Sequence, residues 1–164
     1  MPQMTDPHVA MVSFQEKVRA GRIKPQRGAL DKGIYVFNDR PGDGSEPRMT
    51  YVTLEGKTVT AFAVFGFATC GRIDGDPCMA IGYAVPGEYR KQGRAKKIAE
   101  SAIQEMKHGL ARHGHKVFWV EAIIDEDNIA SQRVAEKVIS DQPTKMIDDI
   151  SKKPALRYLR KVEI

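Results

Sequence analysis

Hydrophobic residues recur along the chain at both helical and strand spacing, and this pattern predicts a mixed α/β protein. Between residues 93 and 110 the apolar positions follow one another in steps of three and four, which indicates an amphipathic helix. Residues 8–20 and 125–139 predict two further helices, and Gly21 is expected to end the first of them. Residues 22–31 and 38–48 are expected to be irregular.

Strand-forming residues fill most of the remaining segments. The predicted strands are 33–37, two strands within 49–69 that meet in a hairpin at Glu55-Gly56-Lys57, 78–85, 116–124 and 155–164. The nearly continuous apolar run of 116–124 is typical of a central strand that is covered on both faces. This order of elements predicts one domain over residues 1–164, of class α/β (α+β), with a mixed, mostly antiparallel sheet of six to seven strands and helices on both faces.

Composition is that of an ordinary globular protein: 41% of the 164 residues are hydrophobic and 29% are charged. No apolar run is long enough to span a membrane, and the N-terminal residues lack the pattern of a signal peptide, so we expect a cytoplasmic location and no membrane partner. The net charge of +5 fits an anionic ligand, an acidic partner or nucleic acid. Since the basic residues are spread along the chain, nucleic acid is not favoured; a homodimer is left open.

The two cysteines, Cys70 and Cys78, flank a predicted turn. A bridge across that turn is geometrically conceivable, but without an export signal we expect two thiols. No group of residues has the spacing of zinc ligands, and three of the four histidines, His108, His113 and His115, cluster at the end of the 93–110 helix, where solvated histidines are common. We therefore expect no metal site.

The most informative segment is the loop before the 93–110 helix. An apolar strand ends at Val85, a Pro-Gly pair follows, and three basic residues and Gly93 lead into the helix. A helix N-terminus offers free backbone N–H groups and the positive end of the helix dipole, and a glycine lets the backbone approach a ligand closely. The loop therefore predicts a site for a phosphate-bearing cofactor, with a pyrophosphate as a fitting group.

Two segments resemble the GCN5-related N-acetyltransferase (GNAT) superfamily. Arg90-Lys91-Gln92-Gly93-Arg94-Ala95 resembles the family's cofactor motif, Arg/Gln-x-x-Gly-x-Gly/Ala, which stands between a strand and a helix. Residues 120–138 resemble its fifth strand and fourth helix, in the form with Asn-x-x-Ser and Glu-Lys found in the branch that modifies the N-termini of ribosomal proteins. Together these two segments cover 25 of the 164 residues.

The resemblance implies a GNAT-like sheet and direct acyl transfer from acetyl-CoA, which would lie where the fourth and fifth strands of the sheet splay apart. It implies that backbone groups near Ala84 and Val85 bind the pantetheine arm and that Asn128 faces it from the following helix. The backbone N–H groups of Arg90, Lys91, Gln92, Gly93, Arg94 and Ala95 would hold the pyrophosphate.

The sequence departs from the family at the proton donor. Many members carry a tyrosine seven residues after the asparagine, where this chain has Ala135, so a tyrosine acid from this helix is excluded. Ser131 is a candidate hydroxyl, although it is equally a small residue that packs against the cofactor. Glu121, the one carboxylate inside the central strand, is a candidate general base; it is alternatively a solvent-facing residue or half of a structural ion pair.

These observations predict an acetyl-CoA-dependent N-acetyltransferase whose acceptor is a primary amine of a peptide, a protein or a small molecule. A non-catalytic acyl-CoA-binding module is the alternative that the missing tyrosine permits. An acetyltransferase that acts on aminoacyl-tRNA is another alternative, and the sequence does not identify the acceptor.

Overall fold

One sheet of eight strands runs through the residues that the structure describes, and helices lie on both of its faces. The computed structural model describes residues 6–164, with the side chains of residues 69 and 70 excepted. The helices are α1 (Pro7–Arg19), α2 (Arg94–Arg112) and α3 (Ile129–Val138). The strands are β1 (Gln26–Arg27), β2 (Tyr35–Asp39), β3 (Arg48–Glu55), β4 (Thr58–Ile73), β5 (Asp76–Ala84), β6 (Val117–Asp125), β7 (Thr144–Ile147) and β8 (Pro154–Glu163).

The strand order is β1-β2-β3-β4-β5-β6-β8-β7, and every neighbouring pair is antiparallel except β5–β6. The predicted fold class is therefore confirmed, and so is the hairpin between β3 and β4. The described sheet has eight strands where the sequence predicts six or seven, because β1 and β7 are short edge strands. Their residues are mostly exposed, so no alternation of apolar and polar positions marks them.

Helix α2 is the clearest agreement between pattern and structure. Its buried positions are Ile98, Ala99, Ala102, Ile103, Glu105 and Met106, which lie on one face and include the predicted apolar stripe. They pack on the sheet across β3, β4 and β5. No helix within residues 6–164 is long and apolar enough to cross a membrane.

Helix α3 begins later than the sequence predicts. Asp125 still belongs to β6, and Asn128 caps the helix by accepting the N–H of Ser131 at 3.2 Å. Gln132 reaches back from the helix and donates to the carbonyls of Asp125 and Glu126 at 2.9 and 2.8 Å. Glu126 and Asp127 therefore lie in the connection before the helix, and the predicted start of the helix at residue 125 is wrong.

The strand β4 supplies side chains to two separate cores, because successive residues of a strand point to opposite faces. Phe62 points toward α1, where its ring meets that of Phe14 with centroids 6.0 Å apart. Ala61 and Phe65 point to the other face, into the larger core that includes the buried side chains of α2 and α3. The predicted placement of helices on both faces is thus confirmed.

Gln15 attaches α1 to the β3–β4 hairpin. Its Nε2 atom donates to the carbonyl of Lys57 at 2.6 Å, and its Oε1 atom accepts the N–H of Val59 at 2.7 Å. Both ends of one amide side chain thereby satisfy backbone groups next to a β-bulge, where the register between β3 and β4 shifts.

Cys78 is fully buried in β5. The side chain of Cys70 lies outside the described residues, so the state of the two thiols stays a prediction.

Glu105 anchors the loop before β2 to helix α2. Its carboxylate is nearly buried and accepts the backbone N–H groups of Ala29, Leu30 and Asp31 at 3.1, 2.7 and 2.9 Å. Gly28 is required beside it, because an added Cβ would stand 2.4 Å from the carbonyl oxygen of Asp31 and 2.8 Å from the Glu105 carboxylate. One buried side chain therefore holds a loop that is more than seventy residues away in the chain.

We predict that Glu105→Gln lowers the free energy of unfolding by about 2 kcal/mol or more, because the amide NH₂ group would face backbone donors and leave one of them unpaired. Urea unfolding measures this loss. Glu100→Gln on the same helix is the matched control: its side chain is 46% exposed and its only described ion pair is with Arg160 at 3.6 Å, so we expect a loss within about 0.5 kcal/mol. Equal losses in the two variants would contradict the anchoring role.

Candidate active site

A fork opens between β5 and β6. These parallel strands pair at three positions only, and the last pair is Ala80 with Glu121. Both strands continue, over residues 81–84 and 122–125, while their outer edges stay paired with β4 and β8. The facing edges of β5 and β6 therefore diverge and keep backbone N–H and C=O groups that have no strand partner within the described residues. Such groups require water or a ligand as their partner.

The loop at the open end of the fork leads into α2 with two backbone positions in the left-handed region. Lys91 has φ 61° and Gly93, which caps the helix, has φ 72°. Among the described residues no side chain caps this helix end, so its first N–H groups stay available to a ligand. Successive N–H groups in such a conformation form a concave site for anions, and the helix dipole adds to it.

The side chains of this loop turn back toward the protein. Arg90 donates from Nε to the carbonyl of Val85 at 3.0 Å, and this holds the loop against the end of β5. Arg94 lies over the ring of Tyr89, 5.0 Å from its centroid, and 3.9 Å from the carboxylate of Glu55. The side chains of Arg90 and Arg94 are therefore engaged within the protein, and the Val85 carbonyl already has a partner. The expected anion site over the backbone of residues 90–95 is called the cradle below.

Glu121 stands at the apex of the fork. It is 4% exposed, so the solvent-facing interpretation is excluded. Its neighbours Val120 and Ala122 point into the core beneath α2 and α3, which places Glu121 on the opposite face, the face that carries α1. Its Oε2 atom accepts from Nε of Arg157 at 2.6 Å. The ion pair that the sequence left open is thus present, and it fixes the carboxylate beside the fork.

The first turn of α3 is tied to β5 by a tyrosine that sequence reasoning missed. The hydroxyl of Tyr83 donates to the carbonyl of Ser131 at 2.6 Å. Asn128 and Ser131 thus both take part in the start of α3: one caps it and the other bridges it to the fork. The signal for Tyr83 was its inward-facing position among the apolar residues of β5, since a buried tyrosine needs a partner for its hydroxyl.

A second tyrosine lies in the same core. Tyr158 of β8 is fully buried, and its hydroxyl has no hydrogen-bond partner among the described residues. Burial raises the pKa of Tyr83 above its ordinary value, and the Tyr158 phenol adds to that shift. Burial also raises the pKa of Tyr158, so both hydroxyls keep their protons at neutral pH. Ala135, at the position of the family's usual tyrosine, is buried in this same core.

A family model described as the acetyltransferase (GNAT) domain matches residues 8–138 of the chain, which is most of its length. The chain belongs to the GNAT acetyltransferase family. The predicted resemblance is therefore confirmed, and family membership supports acetyl-CoA as the co-substrate. No curated protein matches the chain.

Several solved structures align with the chain. RimL, a ribosomal L7/L12 alpha-N-protein acetyltransferase solved in its apo form, aligns at 17% identity over 70% of this chain and 61% of its own, with a TM-score of 0.47. A Bacillus subtilis acetyltransferase solved with CoA aligns at 15% identity over 70% and 77%, with a TM-score of 0.48. AAC(6′)-Ib, solved with paromomycin and acetyl-CoA, aligns at 11% identity over 69% and 64%, with a TM-score of 0.54. This last likeness shows a shared fold and nothing more. The chain thus spans about three fifths of the RimL structure's length.

We predict that Gly93→Val weakens acetyl-CoA binding at least tenfold, measured by calorimetry. An added Cβ meets no atom within 4 Å, so the side chain would fill the open space before the helix end, and valine would not hold φ 72° without strain. Gly114→Val is the matched control, because Gly114 has φ 81° and equally open surroundings at the other end of α2. It is expected to cost similar stability and to leave the affinity unchanged. Unchanged affinity in Gly93→Val would refute the cradle.

Proposed function

We propose that this GNAT protein is an N-acetyltransferase that transfers the acetyl group of acetyl-CoA directly to a primary amine. The observation that carries the proposal is the fork between β5 and β6, which opens beside the helix N-terminus of the 90–95 loop. The free backbone groups of the fork suit the amides of a pantetheine arm, and the loop suits a pyrophosphate. The residues present therefore fit CoA at both ends of the site.

Separate groups of the chain then bind the co-substrate and transfer the proton. Residues 90–95 and the end of β5 would hold and orient acetyl-CoA, which would supply the activated acetyl group near the apex of the fork. Glu121 stands at that apex and accepts the proton of the incoming ammonium, while Arg157 keeps the carboxylate in place. Because Glu121 faces the α1 side of the sheet, the acceptor approaches from that side. Ser131 remains a candidate hydroxyl on the opposite side.

The acceptor we favour is an amine of a peptide or protein, or another amine on an acidic partner. The net charge of +5 favours encounters with acidic partners, and the Asn-x-x-Ser form of α3 resembles that of the protein N-terminal branch.

A polycation would need an acidic pocket, and two carboxylates, one at the end of β2 and one in the loop after it, already have partners. Asp39 forms a two-point pair with Arg48 at 2.9 and 2.6 Å. Asp43 accepts from Ser45, and those hydrogen bonds lower its pKa. These engagements support an acceptor that is not a polycation.

A non-catalytic acyl-CoA-binding module is the second candidate, and Ala135 in place of the usual tyrosine favours it. The two candidates share the binding site and differ only in turnover.

We expect acceptor screening to separate these candidates. Peptides with acidic residues after the N-terminus should be acetylated faster than polyamines or aminoglycosides, and added salt should slow the reaction by screening the attraction. Release of CoA thiol is the readout, and the same screen includes charged tRNA. Polyamine turnover with micromolar Michaelis constants, together with no peptide turnover, would make the loop carboxylates the acceptor site. Binding of acetyl-CoA without any turnover would favour the module.

We predict that Glu121→Gln lowers turnover by roughly a hundredfold or more, with little change in acetyl-CoA affinity, as expected for loss of a general base. Ser131→Ala should have a smaller effect. Steady-state kinetics and urea unfolding are measured on each variant. If Glu121 serves only the ion pair with Arg157, its variant loses stability and keeps its turnover per folded molecule, and the assignment of the base is wrong.

A further inference from the structure

Tyr158 carries an unexplained hydroxyl at the fork. Its side chain is fully buried, yet its oxygen has no hydrogen-bond partner within the described residues. An unpaired buried hydroxyl costs about 1–3 kcal/mol, so its presence calls for a partner that the protein itself does not supply.

The register of the sheet places Tyr158 at the start of the fork. It stands opposite Ala122 of β6, one residue beyond the last pair between β5 and β6. Its side chain lies on the face covered by α2 and α3, and Ala122 beside it on that face is small. Tyr158 shares this buried core with Tyr83, which comes from β5 on the other side of the fork and reaches α3. The phenol of Tyr158 therefore lies in the core that borders the gap between β5 and β6.

Ala135 is the small residue that α3 contributes to this core. It is fully buried in the core that also contains Tyr83 and Tyr158. A larger residue at this position of the helix would compete with the two phenols for the same volume. The chain thus combines a small residue on the helix with tyrosines that enter from the sheet.

We propose that the Tyr158 hydroxyl is the hydrogen-bond donor to the sulfur of bound CoA and the proton donor to the departing thiolate. This assignment rests on the proposed function, since it requires the thioester at the apex of the fork. It places the acid on the α3 face of the sheet, whereas Glu121 stands on the α1 face.

The proton balance closes with these groups. The amine nitrogen forms a bond to the thioester carbonyl carbon, the carbon–sulfur bond breaks, and its electron pair stays on sulfur. Sulfur takes the phenolic proton and becomes the CoA thiol. Nitrogen loses two protons in all: Glu121 takes the first from the ammonium and releases it to solvent, and the second, lost as the amide forms, returns through solvent to the phenolate. The net result is one proton delivered to sulfur and one released to solvent.

The test uses CoA and desulfo-CoA, which lacks the sulfur atom, and needs no acceptor. By calorimetry the wild-type protein should bind CoA about two- to tenfold more tightly than desulfo-CoA, as one hydrogen bond predicts. In Y158F that ratio should fall to about one. Y51F is the matched control. Tyr51 is a buried tyrosine of β3, and burial, together with the nearby Glu105 carboxylate, raises the pKa of its hydroxyl. Its variant should keep the wild-type ratio.

Stability provides a second readout. Because Y158F removes only an unpaired hydroxyl, its unfolding midpoint should equal or exceed that of the wild type. Since the variant lacks the proton donor, kcat for any acetylated amine should fall about a hundredfold, with the KM for acetyl-CoA unchanged. A CoA to desulfo-CoA ratio that is the same in wild type and Y158F would overturn the assignment, as would full kcat in Y158F. Failure of both ligands to bind the wild type would instead overturn the proposed function.

Discussion

The separation of β5 from β6 after Ala80 and Glu121 is the constraint on which the rest of the site depends. Two adjacent parallel strands need a crossover connection, and here that connection contains α2. The N-terminus of α2 consequently follows the end of β5 after one short loop, which puts an anion-binding helix end at the open side of the fork. If the ladder continued to the ends of both strands, the same loop would border a closed sheet with no backbone groups to offer.

The fork also connects the two faces of the sheet, which are otherwise separate. On the α1 face lies the ion pair of Glu121 with Arg157, and on the other face lie the phenols of Tyr83 and Tyr158. An extended molecule between the arms is exposed to a carboxylate from one side and to hydroxyls from the other. This placement on opposite faces suits a reaction that removes a proton from one atom and delivers a proton to another. The base and the acid are kept apart, so they do not exchange a proton with each other.

The sequence predicted the features that consecutive residues form, and it missed those that depend on contacts between distant residues. The 90–95 loop and α2 were found because the glycine, the basic residues and the apolar stripe are consecutive in the chain. The start of α3 was misplaced because Asn128 and the acidic residues before it are all acceptable caps, and the choice depends on Gln132 holding the loop. The strand β7 has mostly exposed residues and therefore shows no pattern.

The contacts between residues of the site could not be predicted, because they join residues that are distant in the chain. Glu121 meets a residue thirty-six positions away, and Tyr158 comes beside Tyr83 only once β8 has added to β6. Ala135 shows most clearly what the sequence alone can and cannot predict. Its identity indicates that the usual tyrosine is missing from α3. Which residues of the sheet share its core is known only from the structure.

The anchor formed by Glu105 gives α2 a mechanical role. Residues 94 and 105 lie about 16 Å apart along one helix at 1.5 Å per residue. The N-terminus of α2 borders the cradle, and further along the helix Glu105 accepts hydrogen bonds from the backbone of residues 29–31. The hydrogen bonds of Glu105 therefore attach the loop that leads into β2 to the same helix whose N-terminus borders the cradle. A tilt of α2 at either place would displace the other.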